Sequence, residues 1–319
     1  MDFRPLGSTG ISVSAISFGA GPVPALMTSG GRADQQRDTI RRAIEAGINW
    51  FDTAATYGDG ESERSLGAAF QELGASARVH VATKVRLMPD QLDRIKENVK
   101  ASVRASLQRL QLERVTLIQF HNSITRRRGD QHTSITPVDV LSPGGVLEAF
   151  RELRAEGLVS HLGLTALGDI VALGEVIASG EFETAQVCYN ILAGCDGEDG
   201  GAIIRKCAEK KLGVIAIRVL AGGALAGQPP SAHTLMTKFF PLAIYQRDAQ
   251  KAERLAKILP PGMTAKEAAV RFVLSHGDVS TALIGFSGVE QVDEAIELSR
   301  RGPLPDDLLK KFDALREGS

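Results

Sequence analysis

No apolar stretch in this 319-residue chain approaches the roughly 20 residues needed to cross a bilayer, so a membrane protein is not expected. Charge of one sign is missing too. Lys and Arg number 37 against 38 Asp and Glu, a formal net charge of −1, and nothing favours nucleic acid as a partner. Cysteine is scarce: Cys188, Cys195 and Cys207 form no C-x-x-C pair and no zinc spacing, and are read as reduced thiols of a cytosolic protein. The opening "MDFRPLGSTGISVS" has no basic segment followed by an apolar run, so a signal peptide is not expected and the placement is read as cytoplasmic. The six histidines show no H-x-H or H-E-x-x-H spacing, which argues against a metal hydrolase, and no G-x-S-x-G elbow marks a serine hydrolase. The nearest approach to G-x-G-x-x-G is "GAGPVP" at 19–24, where Pro24 takes the third glycine's place and no helix follows at once. A doubly wound dinucleotide fold is therefore not expected.

What is present is alternation. Short β-branched runs at 14–19, 48–51, 79–83, 115–120, 158–164, 184–187, 213–217 and 281–284 are separated by longer segments of helical period. Apolar strands alternating with helices read as parallel β/α units buried on both faces. Eight of them select a closed barrel. No Pro-, Gly- or Ser-rich linker interrupts the chain, so residues 1–319 are read as one domain. The expected fold is α/β, a single (β/α)8 TIM barrel with a short N-terminal β-turn segment at "LGSTG" and extra C-terminal helices.

A barrel carries its chemistry where strands end. There the sequence places Asp52 after the second strand with Tyr57 on the loop, Lys84 after the third and His121 after the fourth. A tyrosine, ordinarily near pKa ~10, is too weak an acid to protonate a carbonyl at neutral pH unless a cation favours its phenolate. A carboxylate would hold that cation in place. Singly, each residue has a plainer account: a loop cap, a half-buried aromatic, a snorkelling lysine, a satisfied core histidine. Together, four matching types at the ends of three consecutive strands make an acid–base set. The "ESE" at 61–63 opens the next helix with acids suited to its positive end.

The segment "FDTAATYGDGESE" (51–63), with Lys84 in "VATKV", His121 in "LIQFH" and "VIAIRVLAGGALAG" (214–227), resembles the aldo-keto reductases. The resemblance implies a barrel that binds NAD(P)H without a Rossmann fold. It implies Tyr57 as general acid or base, supported by Lys84 and Asp52, with His121 orienting a carbonyl or alcohol of a small-molecule substrate. It also implies that Thr165 and Gln186 hold the nicotinamide carboxamide, although Ala166 stands where an Asn is common. Ile217 and Arg218 occupy the place of a stacking aromatic, as in the branch with Met-Lys there. Leu220 and Gly222 fall where backbone donors meet the pyrophosphate. Gly285 and Gln291 stand where phosphate-selective relatives carry Lys and Arg. Ser287 remains a candidate for a phosphate, and Glu294 matches the acid that reaches the adenine. "GFSGVEQVDE" (285–294) contains no base, so the expectation leans to NAD over NADP.

The "GLTALG" segment and the histidine of "IQFHN" resemble the branch of aldose 1-dehydrogenases, implying oxidation of a sugar to its lactone; general aldehyde or ketone reduction is the nearby alternative. A non-catalytic redox-sensing subunit, as among potassium-channel β-subunits, is a further rival that the intact tetrad weighs against. The long stretch 122–143 reads as a lid or binding loop, its Arg126–Arg128 run either an anion attractor or a solvated face. In 228–247, Phe239, Phe240 and Tyr245 either wall the site or pack on the barrel. Oligomeric state is not legible.

Overall fold

The computed structural model describes residues 1–192 and 200–317. Strands β1 (Phe3–Pro5) and β2 (Ser12–Ser14) pair antiparallel around the expected turn. Eight more strands follow: β3 (Ile16–Gly19), β4 (Trp50–Asp52), β5 (His80–Val85), β6 (Val115–Phe120), β7 (Val159–Thr165), β8 (Thr184–Cys188), β9 (Gly213–Ile217) and β10 (Val279–Gly285). They close into a parallel barrel, β10 pairing back onto β3. Around it run α1 (Ala33–Glu45), α2 (Glu61–Glu72), α3 (Ile95–Leu110), the short α4 (Pro137–Leu141), α5 (Val146–Ala155), α6 (Ile170–Ala178) and α7 (Gly200–Glu209). The β9–β10 crossover carries α8 (Ala232–Met236), α9 (Leu242–Ala256) and α10 (Ala265–Ser275), and α11 (Val289–Arg300) and α12 (Asp306–Glu317) end the chain. The barrel, the N-terminal hairpin and the additional C-terminal helices agree with the sequence expectation.

The helices form for ordinary reasons. In α5, Val146, Leu147, Phe150 and Leu153 recur at helical spacing and are buried against the barrel. At the start of α6 the Asp169 carboxylate accepts from the N–H groups of Val171 and Ala172, satisfying two donors that the helix leaves open.

Two apolar layers result. One lies between strands and helices. The other fills the barrel: Trp50, Ala82, Leu117 and Ile215 pack with Leu6 and Val13, so the hairpin plugs one mouth. Arg4 ties the hairpin down by donating to the carbonyls of Val279 at 2.9 Å and Leu274 at 2.7 Å. Side chains two residues apart on a strand share a face. Two residues beyond Trp50, Ala82 and Leu117 stand Asp52, Lys84 and Gln119, so the floor of the site is the next layer of the same interior.

Strand limits differ from expectation at the catalytic end. Asp52 closes β4 instead of opening a loop, and β5 runs through Lys84 to Val85 because Lys84 keeps its pairing with Gln119 on β6. The cysteine expectation also needs correction. Cys188 is disulfide-bonded, Cys207 is free and buried, and Cys195 lies outside the described residues. The absence of C-x-x-C says nothing about bridges at other spacings. Among the described residues, no helix is long and apolar enough to cross a membrane.

Candidate active site

Asp52, Lys84 and the loop that carries Tyr57 meet at the C-terminal mouth of the barrel. Lys84 Nζ donates to Asp52 Oδ1, to the Thr53 carbonyl at 2.8 Å and to the Tyr57 hydroxyl at 3.3 Å. It also lies 4.8 Å from the Tyr57 ring centroid. Both ends of the ion pair are buried. Asp52 Oδ2 accepts two further bonds, from Gln119 Nε2 at 2.9 Å and Gln186 Nε2 at 2.6 Å.

Burial raises the Asp52 carboxyl above the usual aspartate value, while the Lys84 charge and the bonds from Lys84, Gln119 and Gln186 pull it back. Burial alone would lower the Lys84 ammonium, yet the charges of Asp52 and Tyr57 and their hydrogen bonds hold it above the usual lysine value. A carboxylate with this many donors beside a raised ammonium is an ionised pair near neutrality. It presents a desolvated cation to a phenol.

The loop is locked by the remainder of its own motif. Ser62 Oγ bonds to Thr53 Oγ1 and to the Ala20 carbonyl, each at 2.7 Å. Glu61 and Glu63 stand in the first turn of α2, as the "ESE" reading expected, but Glu63 does more than that. It is buried, accepting from Thr83 Oγ1 at 2.5 Å and Arg109 Nε at 2.6 Å, and so ties α2 to β5 and α3.

His121 follows β6 directly, its ring edge-on to Tyr57 with centroids 5.8 Å apart. Burial, with the charges of Arg86 and Lys84, lowers its pKa well below the usual histidine value. The imidazole is therefore neutral at physiological pH, and its Nδ1 has no partner among the described residues.

The residues expected to hold a nicotinamide cofactor lie along β7 to β10. Thr165 pairs across β7 and β8 with Gln186, and its Oγ1 is buried with no partner among the described residues. An orphaned hydroxyl beside a buried amide fits a planar polar group such as a carboxamide. Ile217 ends β9 and Arg218 follows, in contact with Asp248 at 3.1 Å and stacked 4.3 Å from the Phe240 ring. Beyond Leu220, Gly222 and Gly223 adopt left-handed backbone at φ 68° and 102°. That run of backbone, beside the Arg218 guanidinium, fits a phosphate. At the end of β10, Gly285 sits so tightly against Val23 and Pro24 that a side chain there would clash. Ser287 N–H donates to Gln291 Oε1 at 2.8 Å, and Glu294 is paired with Lys266 of α10 at 2.6 Å. The residues present fit the cofactor.

Three contributors escaped the sequence reading. Gln119 is legible in hindsight as the one amide in a mostly apolar strand, "VTLIQF". Arg86 stands two residues beyond Lys84, its guanidinium 3.9 Å from the Phe239 ring centroid. Lys266 arrives from a distant helix, and no local signal marks it. The Arg126–Arg128 run is exposed and paired with carboxylates, Arg126 with Asp169, Arg127 with Asp130 and Arg128 with Asp139, which fits the solvated-face reading. The 228–247 segment contains α8 and the start of α9, and its phenylalanines wall a cleft of about 380 Å³ with His132, Ala166 and Val187.

The model of the aldo/keto reductase family matches residues 16–317. L-galactose dehydrogenase of Arabidopsis thaliana is 30% identical over 327 residues, covering 99% of this chain and 95% of that protein. D-threo-aldose 1-dehydrogenase of a Pseudomonas species is 27% identical over 70% of each chain. The solved aldo-keto reductase AKR11C1 of Bacillus halodurans, in its holo form, superposes with a TM-score of 0.77 at 24% identity, covering 99% of this chain and 96% of that one. With its barrel and this match over nearly all its length, the chain belongs to the aldo/keto reductase family and is an NAD(P)-dependent oxidoreductase.

Proposed function

We propose that this enzyme oxidises an aldose at its anomeric carbon to the lactone, with NAD as the preferred acceptor and Tyr57 as the proton-transfer group. The observation that carries the reading is the chain from Asp52 through Lys84 to the Tyr57 hydroxyl, 3.3 Å from the ammonium. The bound nicotinamide supplies the hydride acceptor, or the donor in reduction. Tyr57 takes the proton of the sugar hydroxyl as the carbon–hydrogen bond breaks, and returns it to a carbonyl in the reverse direction. Lys84 favours negative charge on the phenol oxygen, Asp52 compensates the buried ammonium, and neutral His121 hydrogen-bonds the substrate oxygen without adding charge.

The sugar is supported by the L-galactose and D-threo-aldose dehydrogenases among the relatives. The preference for NAD is supported by the adenosine end: Gly285 and Gln291 bring no base, and Lys266 is already neutralised by Glu294. Steady-state assays with NAD and NADP across a panel of aldoses test the reading. Tyr57→Phe is expected to lower kcat by about 10²- to 10⁴-fold while cofactor binding, followed by nicotinamide fluorescence, persists. An unchanged kcat in that variant rejects the proposed role of Tyr57.

A further inference from the structure

The charges around the reacting groups do not balance. Lys84 is matched by Asp52. Burial first, then nearby cations, keeps His121 neutral, and His233 is lowered in the same sense by burial and the charge of Arg86. Arg86 has no such match. No carboxylate among the described residues pairs with it; its Nη2 donates only to the His121 carbonyl at 3.3 Å, and its buried Nε has no partner among the described residues. Burial lowers the guanidinium to about 10, which leaves it cationic at neutral pH.

Arg86 is placed against the chemistry. It stands two residues beyond Lys84, contacts the backbone of His121, and its charge is felt by Tyr57. The Phe239 ring covers one face of the guanidinium at 3.9 Å. Stacking blocks the face and leaves the edge, where the donors lie. An unpaired, edge-presenting guanidinium that is fixed by an aromatic ring suits the two oxygens of a carboxylate. A phosphate dianion would call for a second uncompensated cation, whereas a carboxylate brings the surroundings of Tyr57 to neutrality.

Building on the aldose reading above, we propose that Arg86 is a specificity-determining residue that receives a carboxylate borne by the substrate, so that the preferred sugar is an aldose acid, a hexuronate in place of a hexose. The reacting end of such a sugar lies at Tyr57 and His121, and its acid end lies on Arg86 beneath Phe239.

The test compares hexoses with hexuronates of the same configuration, galactose with galacturonate and glucose with glucuronate, under saturating cofactor. Wild-type enzyme is expected to show kcat/KM at least tenfold higher for the preferred uronate than for its hexose. Arg86→Met should collapse that ratio to within about threefold, chiefly through KM for the uronate, and Arg86→Lys should restore part of it. Equal kcat/KM for acid and neutral sugar in the wild type overturns the proposal. So does a proportional loss on both sugars in Arg86→Met, which would make Arg86 a support for His121. Calorimetric titration of galacturonate and galactose into the enzyme–NADH complex separates this inference from the aldose reading. Carboxylate-selective binding that is lost in Arg86→Met, without turnover of any sugar, sinks the aldose reading and keeps the anion site. Binding without selectivity sinks the anion site.

Discussion

Gln119 donates a hydrogen bond of 2.9 Å to Asp52 Oδ2 from two strands away, across the inside of the barrel. The bond has no part in proton transfer, but it stabilises the charged form of a carboxylate whose burial pushes the other way.

Removing that donor has a predictable sign. With Gln119→Leu, Asp52 keeps Lys84 and Gln186 but loses one bond to its ionised form, so its raised pKa rises further. A hydrogen bond to a charged group is worth about 1.5–3 kcal/mol, enough to displace the titration measurably. The acid limb of the pH profile of kcat/KM should move upward, with the plateau near neutrality much less affected. A limb that stays in place would show that Asp52 does not set it.

The contrast between Asp52 and Gln119 shows what the sequence gives away. Asp52, Tyr57, Lys84 and His121 stand out because polar groups at barrel strand ends have few other reasons to be there, and eight apolar runs come close to placing those ends, missing that Asp52 and Lys84 belong to β4 and β5 themselves. Gln119 looked like one polar residue inside a strand, and only the closed barrel shows that its face is the one shared with Asp52. Glu63 was only half legible for a related reason. Its position suggested helix-end electrostatics, but its burial is decided by Thr83 and Arg109, which come from other elements. Lys266 and Arg86 acquire meaning only through Glu294 and Phe239, distant in sequence by 28 and 153 residues respectively. Local pattern reports which face a residue occupies, whereas its partners follow from topology.

His121 gives a prediction about stability. Its folded pKa is lowered, so between that value and the ordinary histidine value the unfolded chain binds a proton that the folded chain refuses. The stability in question is fully present above about pH 6.5 and is lost as pH falls below it, at up to about 1.4 kcal/mol per pH unit. His80 and His233, lowered mainly by burial, add to the same slope. In His121→Asn the fall in unfolding free energy between pH 7 and pH 5, measured by urea titration at each pH, should be shallower by up to one proton. An undiminished slope would mean that the imidazole is charged in the folded protein.

The last prediction concerns the proposed adenosine end. Lys266 Nζ holds both carboxylate oxygens of Glu294, at 2.6 and 2.8 Å, and so presents no net positive charge there. A 2′-hydroxyl tolerates such a neutral pair, whereas a 2′-phosphate dianion is repelled by the carboxylate and finds its counter-ion already engaged. Glu294→Gln removes the acid, keeps the shape and releases the ammonium. The ratio of kcat/KM for NADP over NAD should then rise by about tenfold, equivalent to about 1.4 kcal/mol of relative binding, and most of the change should appear in KM for NADP. Lys266→Met in the same background should cancel the gain. If the single variant leaves the ratio where it was, the Lys266–Glu294 pair lies away from the ribose and the proposed preference for NAD loses this support.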